Sequence, residues 1–323
     1  MAEHRRCCAR SESHRSGSKS LPRNTAVKTA VITIVRGRHT HLRMHLRGLA
    51  LERTTPYLHV VVSMGDPAVK TVVAQEDSAA RVLHIDVADN GALPLARARN
   101  LGAAEALRLG ATLLVFLDVD CVAVPPLLTR YHEAACARAA TSALLCGPVT
   151  YLPHALPTST APDSLPALRN PHPARPAPAD ETTLDGDNFD LFWSLSFAVT
   201  APTWRALGGF CEDYVGYGGE DTDFAWTARA RGVKLTWVGG ADAYHQFHPI
   251  SDPPVEHLDD ILVNAEIFHR RWGRWPMQGW ITDFEVMGLV EYRRGSQRWV
   301  RVRRPHLDSR AGRRWLTTES THD

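Results

Sequence analysis

The chain has 323 residues, of which 44% are hydrophobic and 22% are charged. These proportions are ordinary for a soluble globular protein and exclude collagen, a coiled coil and disorder throughout the chain. Its 37 basic and 35 acidic residues give a formal net charge of +2, which argues against a protein that coats nucleic acid.

The N-terminal segment, the longest apolar runs and the cysteines bear on the cellular location of the protein. The N-terminal 1–26 is basic and polar without the apolar core of a secretory signal, and we predict a flexible tail there. No apolar run reaches the length of about 18 residues that a transmembrane helix needs, which leaves open only peripheral contact with a membrane. The six cysteines form no CxxC pair, which predicts reduced thiols in a cytoplasmic protein.

Apolar strands and amphipathic helices alternate through the first half of the chain. This alternation predicts an α/β fold with a mixed, mostly parallel sheet and helices on both faces. The predicted strands lie at 28–35, 58–63, 81–86, 112–117 and 144–150, and the predicted helices at 39–52, 95–109 and 125–140.

The amino-acid composition changes at 152–187, where eight prolines stand among Ala, Ser and Thr. We predict a long loop without regular structure there. A strand at 193–199, a glycine-rich turn and helix at 216–231, a strand at 234–238 and a helix at 259–272 are predicted to follow. These assignments divide the chain into a main domain at 27–250 and a helical extension with a tail at 251–323.

Two acids follow the most hydrophobic predicted strand, TLLVFL, as Asp118-Val119-Asp120. Ligands of open α/β sheets bind beyond the carboxyl ends of the strands, and paired carboxylates suit Mg²⁺ or Mn²⁺ bridged to phosphate. The alternative is that both acids only solvate the strand end. The strongly apolar strand favours a functional role, because placing acids beside a core is costly.

A second acidic group, Glu220, Asp221 and Asp223, follows the glycines of the stretch GYGGEDTDF. Acids at a helix start also complement the helix dipole, and one acid would fit that role fully. Three acids within four residues behind a flexible bend favour a carboxylate that faces a cleft.

Histidines and arginines complete the set of candidate residues. His245 and His248 follow a strand and could ligate a metal, although a half-buried loop histidine is the better interpretation of either alone. Arginines at strand ends and helix starts can grip a diphosphate, although a solvated surface is the better interpretation of each one alone. Four stand at such places: Arg36, Arg38, Arg97 and Arg99.

Several stretches, in this order, resemble one enzyme family: IVRGRHTHL at 34–42, LARARNLGA at 95–103, FLDVD at 116–120, LSFAVTAPTWRALGGF at 195–210, YGGEDTDF at 217–224 and AYHQFH at 243–248. They are similar to inverting nucleotide-sugar glycosyltransferases of the GT-A fold, in particular to family 2 enzymes with a galactosyltransferase-type C-terminal motif. The long proline-rich segment and the loosely matching C-terminal 70 residues depart from that pattern.

The resemblance implies a donor site for a UDP-sugar and a Mn²⁺ or Mg²⁺ cofactor. Asp120, with Asp118 beside it, would hold the cation on the diphosphate and contact the ribose. His245 would complete the metal shell, with His248 as the alternative ligand. The nucleotide and diphosphate pocket would be lined by Arg36, Arg38 and Arg97.

The resemblance also implies an acceptor side. Asp221 would be the general base that takes the proton of an acceptor hydroxyl, while Glu220 would bind a hydroxyl or replace Asp221 as base. Tyr217 and Gly219 would contact the acceptor, the tyrosine by stacking on a sugar ring. The acceptor class stays open among a glycan, a lipid-linked sugar and a small molecule.

Two other functions fit some of the residues. A metal-dependent nucleotidyltransferase shares the α/β layers and the acidic strand end, but usually has a glycine-rich phosphate loop where this chain has Arg36-Gly37-Arg38. A non-catalytic nucleotide-sugar-binding module would not need all of Asp118, Asp120 and Asp221. We therefore expect a hexosyltransferase.

Overall fold

The fold is known from a computed structural model, which describes residues 27–88, 91–153, 156–157 and 159–302. The predicted tail at 1–26 and the last part of the predicted extension, 303–323, lie outside the described residues. The strands are β1 Thr29–Val35, β2 Leu58–Met64, β3 Arg81–Ile85, β4 Leu113–Leu117, β5 Cys121–Ala123, β6 Ala143–Cys146, β7 Val149–Tyr151, β8 Thr183–Gly186, β9 Ser196–Thr200, β10 Lys234–Val238, β11 Ala243–His245, β12 Val290–Arg293 and β13 Arg298–Arg301.

Helices connect most of these strands. The α-helices are α1 His39–Ala50, α2 Ala68–Gln75, α3 Leu95–Arg108, α4 Leu127–Ala137, α5 Ala201–Leu207, α6 Glu220–Ala230, α7 Leu258–Trp272 and α8 Gln278–Val286. Among the described residues, three short 3₁₀ helices lie at Pro162–Leu168, Phe189–Leu191 and Val255–His257.

In the part of the chain that the structure describes, the main sheet has eight strands in the order β3-β2-β1-β4-β9-β6-β10-β8. Strands β3, β2, β1 and β4 pair in parallel, as do β6 and β10. Strand β9 runs antiparallel between β4 and β6, and β8 runs antiparallel at the edge beside β10. The predicted mixed, mostly parallel α/β sheet is confirmed.

Helices cover both faces of the sheet because the central strands are apolar on both sides. All seven residues of β1 are buried, and alternate side chains enter different clusters. Ile32 packs with the small residues of α3, whereas Val31 packs on the opposite face with residues of α4. At Gly102 of α3, an added Cβ would stand 2.5 Å from Cγ2 of Ile32, so this helix needs glycine to approach the sheet.

The prediction of one strand at 144–150 is wrong. The strand breaks at Gly147-Pro148, and its halves enter different sheets: β6 stays in the main sheet, while β7 joins β11 in the small sheet β5-β11-β7. Proline has no N–H for a ladder, and an added Cβ on Gly147 would lie 1.9 Å from the carbonyl oxygen of Ala241. The break matters because the small sheet carries His245.

The proline-rich segment is more regular than predicted. Its described part contains the first 3₁₀ helix and strand β8, which pairs with β10. The guanidinium of Arg175 is buried between the rings of Trp193 and Trp237, 5.0 and 4.9 Å from their centroids. These contacts attach the segment to the main sheet, and local composition does not reveal them.

The C-terminal part consists of α7, α8 and the hairpin β12-β13. It packs on the main sheet's helices through Asp223, whose Oδ1 accepts hydrogen bonds from Arg271 Nε and Trp272 Nε1, both at 2.7 Å. Among the helices of the described residues, none combines the length and apolarity needed to span a bilayer.

Candidate active site

The two acids of the DVD motif leave the end of β4 in a tight turn. The Asp118 N–H donates to the carbonyl of Leu195 at 2.9 Å, and the Cys121 N–H donates to the carbonyl of Asp118 at 2.8 Å. Nδ1 of the buried His45 lies 2.7 Å from the carbonyl oxygen of Cys121 and holds the turn from the helix side. These bonds hold the backbone that carries both carboxylates beyond the carboxyl end of β4.

The small sheet brings the two candidate histidines to Asp120. In the antiparallel pairing of β11 with β5, His245 stands opposite Cys121, directly after Asp120. Oδ2 of Asp120 lies 3.6 Å from Nε2 of His245 and 3.6 Å from Nε2 of His248. One ligand atom from each of these three residues lies within 4.8 Å of the others.

The protonation of this cluster suits a divalent cation. Burial lowers the pKa of His245 and brings that of His248 to about 4, so both imidazoles are neutral at pH 7. Burial alone would raise the pKa of Asp120, but His245, Arg38 and His248 hold it below its ordinary value. One carboxylate and two neutral imidazoles are ligands for a transition-type cation such as Mn²⁺ and fit less well with Mg²⁺, which prefers oxygen.

The candidate arginines lie in different environments, and three of them are at the surface. Arg38, in the left-handed region at φ 50°, contacts the same Oδ2 of Asp120 through Nη1. Arg36 is exposed and donates to the carbonyl of Gly91 at 3.3 Å. Arg97 is exposed on α3. Within the described ranges, no ion pair joins Arg36 or Arg97 to the site acids.

Glu220 and Asp221 open helix α6 directly behind Gly219. Gly219 has φ 92°, which a residue with a side chain rarely adopts, and an added Cβ would lie 3.1 Å from the ring of Tyr214. The chain therefore turns sharply into the helix and presents its first acids toward the DVD turn. Arg99 makes the connection: it donates from Nη1 to Oε1 of Glu220 at 3.1 Å and from Nη2 to both carboxylate oxygens of Asp118 at 3.2 Å.

Three neighbouring acids of α6 have different environments. The Glu220 side chain is 8% exposed and paired with Arg99, whereas Asp221 is partly exposed and accepts only from the N–H and hydroxyl of Thr222 among the described residues. Burial and the neighbouring Glu220 raise the pKa of Asp221 to about 7. Asp223 is 1% exposed and faces Arg271, so it does not face the cleft.

Tyr217 lies beside these acids and is held by the C-terminal part. Its ring stacks on His257 with centroids 4.3 Å apart and approaches Trp280 at 5.9 Å. Its N–H donates to Oδ2 of Asp260 at 3.1 Å. The side chain predicted to meet an acceptor therefore forms part of an aromatic wall.

The sequence prediction gave one residue of the site a different role and missed another. Arg99 is predicted as one of four arginines that could grip a diphosphate, whereas it falls on the buried face of α3 with Ala96, Ala103 and Ala106. A charge on an apolar helix face is a signal that the sequence contains. Tyr151, at the end of β7, stacks on His245 with centroids 4.5 Å apart. Nothing local marks Tyr151, because the pairing of β7 with β11 places it there.

The assembled parts are a cluster of potential metal ligands, a buried arginine and a partly exposed carboxylate with a raised pKa, all at one edge of the sheet. Asp118 lies outside the three-residue cluster and faces Arg99 instead. Such an arrangement can hold a cation beside phosphates and take a proton from a hydroxyl nearby.

The chain was compared with known proteins. No model of a protein family matches it. It is 26% identical to the validoxylamine A glucosyltransferase of Streptomyces hygroscopicus subsp. limoneus. The alignment is 332 positions long and covers 89% of this chain and 68% of the relative. It is 26% identical over 262 residues to the protein of the same name from Streptomyces hygroscopicus subsp. jinggangensis (strain 5008), covering 70% of this chain and 56% of the relative.

Solved structures share the fold. The chain superimposes on residues 1–349 of S. aureus TarS with a TM-score of 0.52 at 13% identity, covering 74% of this chain and 65% of that one. It also superimposes on the crystal structure of GalNAc-T7 with UDP, GalNAc and Mn²⁺. The TM-score is 0.50 at 14% identity, and the superposition covers 75% of this chain and 50% of that one. At these identities the structures show the fold alone.

These comparisons support a glycosyltransferase. The mixed α/β architecture predicted from the sequence is that of the structural neighbours, and the curated relatives are named for glucosyl transfer. Neither a nucleotidyltransferase nor a binding module is favoured by them.

Proposed function

We propose that this chain transfers a hexose from a UDP-sugar to an acceptor hydroxyl with inversion at the anomeric carbon, using a divalent cation. It would be an enzyme of the family 2 type with a galactosyltransferase-like C-terminal motif. The observation that carries the proposal is the convergence of two acidic groups: Arg99 bridges Asp118 of the DVD turn and Glu220 at the start of α6.

Asp120, His245 and His248 would hold the cation, and Mn²⁺ fits the two imidazole ligands better than Mg²⁺. The cation would supply neutralisation of the charge that develops on the leaving diphosphate. Asp118 would contact the ribose. Arg38 would turn from Asp120 to the phosphate oxygens, while Arg36 and Arg97 would line the nucleotide pocket from the exposed rim.

Asp221 would act as the general base. Its carboxylate takes the proton of the acceptor hydroxyl, the hydroxyl oxygen forms a bond to the anomeric carbon, and the bond from that carbon to the diphosphate oxygen breaks, which releases UDP. A pKa of about 7 suits a base that works near neutral pH. A single displacement of this kind inverts the anomeric centre.

The acceptor would lie between Asp221 and the wall formed by Tyr217 and His257. An aromatic face beside carboxylates suits a sugar or polyol ring, whose C–H face stacks while its hydroxyls donate to the acids. Glu220 and Gly219 would border this pocket. The names of the curated relatives favour a glucosyl donor and a small-molecule acceptor.

The proposal is tested with the purified chain and a panel of UDP-glucose, UDP-galactose and UDP-N-acetylgalactosamine, each with Mn²⁺, with Mg²⁺ and with a chelator. We expect one donor to raise the melting temperature in the presence of Mn²⁺ and to be consumed when a polyol or glycan acceptor is added. The anomeric coupling in the product's NMR spectrum reports inversion. Absence of any Mn²⁺-dependent stabilisation by UDP or UDP-sugars would contradict the metal-dependent donor site.

A further inference from the structure

Arg99 is a buried cation between two acids that come from distant parts of the chain. Its side chain is 5% exposed, while the side chains of Asp118 and Glu220 are 26% and 8% exposed. The guanidinium lies over the ring of Phe210, 5.4 Å from the centroid, which supports it from the apolar side. Contacts with two carboxylates and one aromatic ring therefore fix the position of the Arg99 guanidinium.

Stability alone is a poor reason for such an arrangement. Charges removed from water lose hydration, and a buried ion pair is often no more stabilising than apolar residues of the same volume. The Nε of Arg99 has no hydrogen-bond partner among the described residues, and two carboxylates share one cation. The other buried residues of α3 are four alanines and a glycine, so Arg99 is the one charged residue on an otherwise apolar face.

We propose that Arg99 is a positioning residue: it fixes the DVD turn against the start of α6 and, by engaging Glu220, leaves Asp221 as the proton acceptor. This inference rests on the proposed function. It also decides between the two acids, since Glu220 is held by a buried ion pair while Asp221 is partly exposed with one oxygen bonded to Thr222.

The charges around Asp221 agree with this assignment. Burial and Glu220 raise the pKa of Asp221, whereas Arg99 lowers it. Tyr217 also faces this group, but burial raises its own pKa to about 12, so it stays neutral near pH 7. Removing the Arg99 charge should therefore make Asp221 harder to ionise, and removing the Glu220 charge as well should reverse part of the effect.

The test compares Arg99→Met, Arg99→Lys, Glu220→Gln and the double variant Arg99→Met/Glu220→Gln. Arg108→Met is the control, because Arg108 is an exposed residue of the same helix that pairs with Glu105. The measurements are the pH profile of kcat/KM for transfer, the Kd of UDP with Mn²⁺ and the melting temperature. Because Arg99→Met can fail to fold, Arg99→Lys keeps a cation there and tests the geometry separately.

We expect Arg99→Met to lower kcat about 100-fold or more and to move the rising limb of the profile up by about one pH unit. Arg99→Lys should keep the wild-type limb with an intermediate kcat, and the double variant should bring the limb back toward the wild-type position. A melting temperature that falls in Arg99→Met while its pH limb and its UDP affinity stay unchanged would overturn the proposal.

Failure of the proposed function is recognised separately, because then the wild-type chain itself transfers nothing from any donor. In that case the ¹³Cγ NMR titration of Asp221, assigned by its loss in Asp221→Asn, replaces the kinetic profile. An upward shift of this titration in Arg99→Met supports the positioning role, and an unchanged titration overturns it.

Discussion

Nε2 of His248 lies 3.6 Å from Oδ2 of Asp120, although the two residues belong to opposite halves of the chain. The distance depends on strand β11, which pairs with β5 and aligns His245 with Cys121. The loop after β11 then returns His248 to the same carboxylate. A histidine that the sequence offers only as the alternative ligand is brought close to this carboxylate by the pairing of a three-residue strand.

Metal binding should depend on all three residues of this cluster. We expect Asp120→Asn, His245→Ala and His248→Ala each to weaken Mn²⁺ binding by about 10–100-fold or more. A loss of about 10–100-fold is typical when a group that only orients a metal ligand is removed, and a direct ligand should matter at least as much. Electron paramagnetic resonance of free Mn²⁺, with UDP present, measures the affinity. His84→Ala is the matched control, because His84 is exposed and pairs only loosely with Asp86. Equal Mn²⁺ affinity in His248→Ala and His84→Ala would remove His248 from the site.

Asp221→Asn should separate binding from transfer. The amide keeps the size of the side chain but cannot take a proton, so we expect transfer to fall by about 10²–10⁴-fold. UDP binding with Mn²⁺ should stay within about twofold of wild type, because Asp221 is not among the candidate cation ligands. Isothermal titration calorimetry and product formation measure the two quantities. Transfer at the wild-type rate would place the base elsewhere.

The pH dependence of transfer should follow the pKa of Asp221. Because burial and Glu220 raise this pKa to about 7, the acid is protonated and inactive below that pH and ionised above it. We expect kcat/KM to rise about tenfold per pH unit below pH 7 and to level off above it. Thr222→Val removes a hydroxyl that lowers this pKa, so its rising limb should lie at higher pH than that of wild type. A limb centred near pH 4 would argue for an ordinary, solvated carboxylate.

Tyr217 should act on the acceptor and leave the donor unaffected. An aromatic pair or a stacked ring contributes about 0.5–1.5 kcal/mol beyond burial, so Tyr217→Ala should raise the acceptor KM up to about tenfold. Tyr217→Phe keeps the ring and its stacking on His257 and should stay near wild type. Steady-state kinetics with donor and acceptor varied in turn distinguish the two effects. An increase confined to the donor KM would contradict the acceptor role.

Asp223 should matter for stability and little for chemistry. It is 1% exposed and accepts hydrogen bonds from Arg271, Trp272 and Tyr214. Asp223→Ala removes the acceptor of the buried Tyr214 hydroxyl and of the less buried Arg271 and Trp272, and should lower the free energy of unfolding by about 1–3 kcal/mol. Urea denaturation measures the loss, and the exposed Asp213→Ala is the control. A stable Asp223→Ala variant that fails to transfer sugar would instead make Asp223 part of the active site.

Much of the fold could be predicted because its signals are local. The predicted apolar run at 112–117 supplies β4, whose five residues are all buried, and the predicted helix at 95–109 matches α3, which Leu109 caps and Gly110 follows at φ 90°. The prediction failed where packing at long range decides the outcome. Helix α2 was not predicted, the strand at 144–150 divides between two sheets, and β8 forms in the proline-rich segment because β10 offers an edge.

The candidate site shows the same division. The sequence by itself determined that acids follow a buried strand and open a helix, because such positions are set by neighbours a few residues away. Only the tertiary structure decided that Arg99 joins Asp118 to Glu220, that His248 reaches Asp120, and that Asp223 faces away from its neighbours. These contacts join residues far apart in the chain, and strand pairing and the burial of paired charges select them.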